Sequence, residues 1–150
     1  MPGDREGGAG EFVPFEEAEH TADLALVARG RSLQELALNA CRGTVALIGD
    51  ARGLRPETWI DIEASAEEPE RLLVRLVKEL LLAWELEGGM PVAVELREGN
   101  DDRSLGARVG FAHPTDFGER ISGHPKAATY HDLAIRREGD LLAITLVLDV

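Results

Sequence analysis

The chain has 150 residues, 28 of them acidic and 16 basic, for a formal net charge of −12. That length suits one domain around one core, and a hydrophobic fraction of 44% is ordinary for a packed interior. The acidity argues against a nucleic-acid surface, which needs Lys and Arg to neutralise phosphates; it fits a basic protein partner or a cation, and equally plain solubility.

The single Cys41 excludes an internal disulfide and any cysteine-cluster metal site. No stretch approaches the roughly 20 apolar residues that a membrane helix needs. The opening "MPGDREGGAG" lacks the basic and apolar regions of a signal peptide, and its glycines suggest a flexible leader over residues 1–11. The expectation is a soluble, cytoplasmic domain over residues 12–150.

In chain order, "EFVPFEEAEH" and "LALVARG" read as two strands, with Pro14 pushing the first towards an edge. Between them lies the polar tetrad His20, Thr21, Ala22 and Asp23. "SLQELALNACRGTVALIG" follows as an amphipathic helix. Ser32 and Glu35 form a capping box, Leu33, Leu36, Ala37, Ala40, Cys41, Val45 and Ile48 recur at helical spacing, and Gly49 stops the run. On that stripe Cys41 reads as core packing rather than as a nucleophile.

"TWIDIEA" alternates like a strand. A second capping box, Ser65 with Glu68, opens a second helix whose buried stripe runs from Leu72 through Leu73, Leu76, Val77, Leu80 and Leu81 to Trp84. Gly88 and Gly89 end it. "MPVAVELRE" and "SLGARVGFAH" alternate on either side of "GNDD", which marks a hairpin. A looser "PTDFGERISGH" leads into the strand-like "PKAATYHDLAIRRE"; "EGD" turns the chain, and "LLAITLVLDV" is a last strand, apolar on both faces and so central. The class is α+β, a single domain of two helices packed on a largely antiparallel β-sheet.

Two constellations could carry chemistry. Asp23, Asp149 and the Val150 carboxylate would together make a cluster of hard oxygen ligands for Ca²⁺, Mg²⁺ or Mn²⁺ rather than zinc. Spacing alone leaves open the blander reading, in which Asp23 caps a turn and Asp149 is a solvated chain end. The second cluster is "HPKAATYH". As a strand it would place Lys126, Ala128 and Tyr130 on one face, and Ala127, Thr129 and His131 on the other. Lys126 is one of only two lysines, the other being Lys78, so a compact ammonium for a phosphate or carboxylate is one reading and a surface lysine the other. His20 is a metal ligand, a proton shuttle or a hydrogen-bonded structural residue. His113, at a strand end before Pro114, suggests nothing specific. The familiar enzyme motifs (a P-loop, GxGxxG, HExxH or a nucleophile elbow) are absent.

"HTAD" at His20–Asp23, "LQELALNA" at Leu33–Ala40, "KAATYH" at Lys126–His131 and the closing "VLDV" at Val147–Val150 together resemble the archease family, across nearly the whole chain from Phe12. The resemblance implies an α+β fold and a non-catalytic partner of the RNA-splicing ligase that joins tRNA halves. Such a partner promotes GTP-dependent guanylylation of the ligase and its multiple turnover, and meets GTP only through the ligase. The resemblance also implies a divalent ion, calcium first, at Asp23, Asp149 and Val150. His20, Lys126, Tyr130 and His131 become candidate contacts to the ligase or its nucleotide, with no strong direct binding of nucleic acid and no membrane role. Two other classes stay open: a metal-dependent hydrolase with Asp23 and Asp149 as ligands and His20 as base, and a general acidic chaperone or scaffold.

Overall fold

The computed structural model describes residues 11–18, 24–97, 99–129 and 133–149. The elements follow one another as β1 (Phe15–Ala18), β2 (Leu24–Gly30), α1 (Leu33–Ile48), β3 (Thr58–Ser65), α2 (Pro69–Glu87), β4 (Met90–Leu96), β5 (Ser104–Ala112), α3 (Phe117–Arg120), β6 (Ala127–Ala128), β7 (Arg136–Glu138) and β8 (Leu141–Asp149). The α+β class holds, and both long helices lie where their periodicity puts them.

The antiparallel content is divided between two sheets. One has the order β1-β2-β8-β6, with β7 also paired to β8; the other is β3-β5-β4. The width of α2 explains the division. Leu72, Leu73 and Val74 are buried in succession, and Leu76, Val77, Leu80, Leu81 and Ala83 continue a face broader than one sheet could cover. This helix packs on β3 and β5 and reaches β6, while α1 packs on β2 and on β4. One apolar cluster joins them, with Leu26, Leu36, Leu76, Phe111, Ile144 and Leu146 all essentially sealed from solvent.

Strand β8 is central, paired with β2 on one side and with β6 and β7 on the other. Ile144, Leu146 and Leu148 point into the core, and the opposite face, with Thr145 and Val147, is half-buried. The expected strand over "PKAATYHDLAIRRE" shrinks to β6 and β7. Residues 130–132 between them lie outside the described residues, and the alternation expected of Lys126 and Ala128 fails, since Lys126 is exposed and Ala128 buried. Within the looser segment before them, α3 forms a single turn.

The caps differ from one another in an instructive way. Ser32 Oγ accepts from the Glu35 N–H at 3.1 Å, as a capping box requires. The return bond, however, goes to the N–H of Arg31 at 2.6 Å, one residue further out. Ser32→Ala is expected to cost about 1 kcal/mol of stability, read as a shifted urea midpoint at constant slope; an unchanged midpoint would show the cap to be idle. The second box does not form. Helix α2 starts at Pro69, Glu68 is its N-cap without a side-chain bond, and Ser65 closes β3 instead. Proline has no N–H to satisfy and its φ is preset for a first turn, so it takes over the start of the helix.

The two helix stops also differ. Gly88 adopts φ +82°, the left-handed conformation that favours glycine. Gly49 is extended, and its role is room: an added Cβ would lie 2.6 Å from the Arg120 carbonyl oxygen. Cys41 is fully buried and desolvation pushes its thiol up to about 12, which makes it a core residue and a poor nucleophile. Among the described residues, no helix is long and apolar enough to cross a membrane.

Candidate functional site

Three strand ends meet at one end of the five-stranded sheet. Leu24, the first residue of β2, pairs with Leu148, and Leu148 pairs on its other side with Ala128 of β6. Ala127 pairs with Asp149. The Lys126 N–H donates to the Asp149 carbonyl at 2.7 Å, and the Thr129 N–H to that of Val147 at 2.9 Å. The reason is local. Buried Pro125 and Ala128 anchor the 126–129 segment against the core while Lys126 turns outward.

Of the residues singled out from sequence, Asp149 and Lys126 therefore lie side by side, joined through backbone. His20, Asp23, Tyr130, His131 and Val150 lie outside the described residues, as do Thr21 and Ala22. What can be stated of Asp23 is its covalent neighbour: Leu24 sits in register with Leu148, which precedes Asp149.

Asp149 is exposed, and its carboxylate takes no hydrogen bond or ion pair from any described residue; the Lys126 ammonium likewise has no such partner. A carboxylate left unpaired at a strand end, with oxygen as its only donor type, fits a hard divalent cation such as Ca²⁺, Mg²⁺ or Mn²⁺. Among the described residues, no group of three His, Cys, Asp or Glu side chains is arranged to hold a metal. The hydroxyl of Thr129, next to the 130–132 segment, is buried and has no partner among the described residues.

Two histidines acquire surroundings that their sequence positions did not suggest. His124 stacks on Trp84 of α2, with ring centroids 5.9 Å apart and planes 15° from parallel. This ties the segment leading into Lys126 to the second helix. His113 joins three elements: its Nε2 lies 3.0 Å from both carboxylate oxygens of Glu87, its Nδ1 lies 3.4 Å from Glu57, and its N–H donates to Glu57 at 2.9 Å. The only sequence signal for this clamp was a histidine placed at a strand end; its partners are 56 and 26 residues away.

The side-chain bond to Glu57 raises the His113 pKa above 6.5, against partial desolvation and with help from Glu87. Glu57 is lowered by the His113 backbone N–H and side chain. In Glu87, burial pushes upward but is outweighed by the Thr58 hydroxyl, the Gly89 N–H and His113, so its net shift is downward. The signs set a window. A raised histidine contributes stability that is complete below its unfolded value and is lost as pH rises through its folded value. The lowered carboxylates contribute above about 4.5 and lose that contribution as the solution becomes more acid. Thermal stability is therefore expected to decline as pH is raised from about 6 to 8, and His113→Phe should flatten that decline. Parallel pH profiles for the two proteins would show that the clamp contributes nothing.

The sequence model of the Archease protein family (MTH1598/TM1083) matches residues 15–150. The chain is 32% identical over 139 residues to the protein archease of Saccharolobus solfataricus, with 91% of this chain and 98% of that one covered. It is 30% identical over 143 residues to the protein archease of a Saccharolobus islandicus strain, with the same coverage. Two solved structures share its fold. The solution structure of Methanobacterium thermoautotrophicum protein 1598 gives a TM-score of 0.75 at 24% identity, covering 91% of this chain and 99% of that one. The crystal structure of a Thermotoga maritima protein, described as an archease and "possible chaperone", gives 0.63 at 26% identity, with 90% and 96% covered. With the family match spanning every described element of the fold, the chain belongs to the archease family.

Proposed function

We propose that this protein is a non-catalytic activator of an RNA-splicing ligase, acting through the sheet end that carries Asp149 and Lys126. The observation that supports the reading most directly is the backbone junction of Lys126 with Asp149, beside the start of β2. It puts on one exposed rim a cation and a carboxylate that have no side-chain partner among the described residues. Family membership supports the accessory role.

In this reading Asp149, Asp23 and the Val150 carboxylate hold a divalent cation, calcium first and magnesium or manganese otherwise. Leu24, the covalent neighbour of Asp23, lies in register with Leu148. When bound, the cation supplies positive charge suited to phosphate oxygens. The protein's own residues do the rest. Lys126, held by its backbone bond, directs its ammonium to a phosphate of the ligase-bound GTP or to a ligase carboxylate. His20, Tyr130 and His131 complete the contact. The acidic surface, at −12 overall, docks beside the basic surface that a ligase presents to RNA.

The test is guanylylation of a cognate ligase by GTP, followed over several turnovers with and without this protein. Stimulation is expected for the wild type, with a loss on the order of tenfold or more for Lys126→Ala, the scale of one charge-assisted contact. A ligase that turns over equally well without the protein, or a Lys126→Ala variant that stimulates fully, would refute the reading. Turnover of phosphoesters by the protein alone, abolished by a chelator, would favour a hydrolase instead.

A further inference from the structure

Lys126 is reached by a strap, residues 121–126, that runs from the end of α1 to the end of β8. Backbone bonds fix its upstream half. Ile121 bridges Gly49, and the N–H groups of Ser122 and Gly123 donate to the Ile48 carbonyl at 2.8 and 3.3 Å. Gly123 passes so close to α1 that an added Cβ would lie 2.7 Å from the Leu47 carbonyl oxygen. At the downstream end, the Lys126 N–H is bonded to the Asp149 carbonyl at 2.7 Å.

Between those anchors stand His124 and Pro125. The His124 ring lies nearly parallel to that of Trp84, with 5.9 Å between centroids and 15° between planes, the offset stacking that ring quadrupoles favour. Trp84 is itself held: it lies near the end of α2, half-buried and packed against the apolar cluster. Pro125 is buried, its ring locks its own φ, and it restricts the residue before it to extended backbone. A stiff dipeptide thus joins the stacked imidazole to Lys126. His124 is exposed, and its ring takes no hydrogen bond or ion pair from any described residue. The stack therefore adds nothing to the core; it fixes the course of the strap.

We propose that His124 is a positioning residue. Stacked on Trp84, it holds the strap so that Lys126 keeps its backbone bond to β8 and projects its ammonium from a fixed point on the rim. This role rests on the reading of Lys126 as the contact to a phosphate of ligase-bound GTP or to a ligase carboxylate. The imidazole supplies a flat face and not a proton, so phenylalanine can replace it and alanine cannot.

Three variants of the full chain test this: His124→Ala, His124→Phe, and His124→Ala combined with Lys126→Ala. One readout needs no ligase. Hydrogen exchange of the Lys126 amide, followed by NMR, should quicken roughly three- to tenfold in His124→Ala, the scale of one ring stack, and return to the wild-type rate in His124→Phe. The other is guanylylation of a cognate ligase at saturating activator. There His124→Ala should lose several-fold of the stimulation and His124→Phe should keep it. The double variant should be no worse than Lys126→Ala, because a residue acting through Lys126 has no effect once the ammonium is gone. An unchanged Lys126 amide in His124→Ala, or a phenylalanine variant as defective as the alanine one, would overturn the positioning role and leave the activator reading standing. Additive losses in the double variant would overturn it too, by giving His124 a ligase contact of its own. A wild type that gives no stimulation removes the activator reading, and this role with it, whatever the amide shows.

Discussion

On the proposed metal reading, calcium is expected to stabilise the wild type against heat, and Asp149→Ala is expected to abolish that stabilisation. A ligand at 100 times its dissociation constant stabilises the folded state by about 2.7 kcal/mol, which for a domain of this size raises the melting temperature by roughly 5–10 °C. Loss of one ligating carboxylate should weaken binding more than the roughly 10–100-fold that attends loss of a supporting residue, so the increment vanishes at the same calcium concentration. Without metal, the variant should melt close to wild type, because the exposed Asp149 side chain has no partner among the described residues. Melting curves of both proteins with calcium and with a chelator give the comparison directly. Equal calcium shifts would remove Asp149 from the metal reading, and a calcium-independent wild type would remove the metal.

Leu148→Ala, one residue earlier, should behave in the opposite way. Leu148 is sealed from solvent and sits in register with both Leu24 and Ala128. Truncating it removes apolar burial and leaves a cavity, at a cost of about 2.7–5 kcal/mol, a large part of the roughly 5–15 kcal/mol that holds a typical domain folded. The urea midpoint should fall accordingly at unchanged slope, with or without metal. Because β2, β6 and β8 meet at this side chain, calcium affinity should fall as well, through loss of the junction rather than of a ligand. A cost below about 1 kcal/mol, the range of surface changes, would mean that the strand ends are held together by other contacts. Adjacent residues thus separate two roles, since strand alternation sends Leu148 inward and Asp149 out.

Much of the architecture was legible because it is written in local periods. The 3.6-residue stripe from Leu33 to Ile48 and that from Leu72 to Trp84 specified both long helices, and alternation specified β3, β4 and β5 within a residue or two. The "GNDD" hairpin was legible for the same reason. Asp101 Oδ1 accepts from the N–H groups of Arg103 and Ser104, while the Asn100 amide bonds both backbone groups of Gly106. Where local rules misled, another local rule had prevailed: Pro69 displaced the start of α2 from its predicted cap.

Partner choice is another matter. Nothing in the spacing of "TWIDIEA", "MPVAVELRE" and "SLGARVGFAH" says that they leave the other strands to form their own sheet, since hydrogen-bonding edges look alike from within a strand. Only the breadth of the α2 apolar face required a second layer. The His113 clamp and the His124–Trp84 stack depend on residues far apart in the chain, brought together by packing. The same holds for the candidate site. The residue types at Asp149 and Lys126 were evident from sequence, but their backbone junction, and the approach of Leu24 to Leu148, exist only because β8 is paired on both sides. Sequence by itself determined the elements and the chemistry available at their ends, because propensity, capping and turn formation act over a few residues. Tertiary structure alone decided which ends meet, because strand pairing is a contest among distant segments settled by the burial of the shared core.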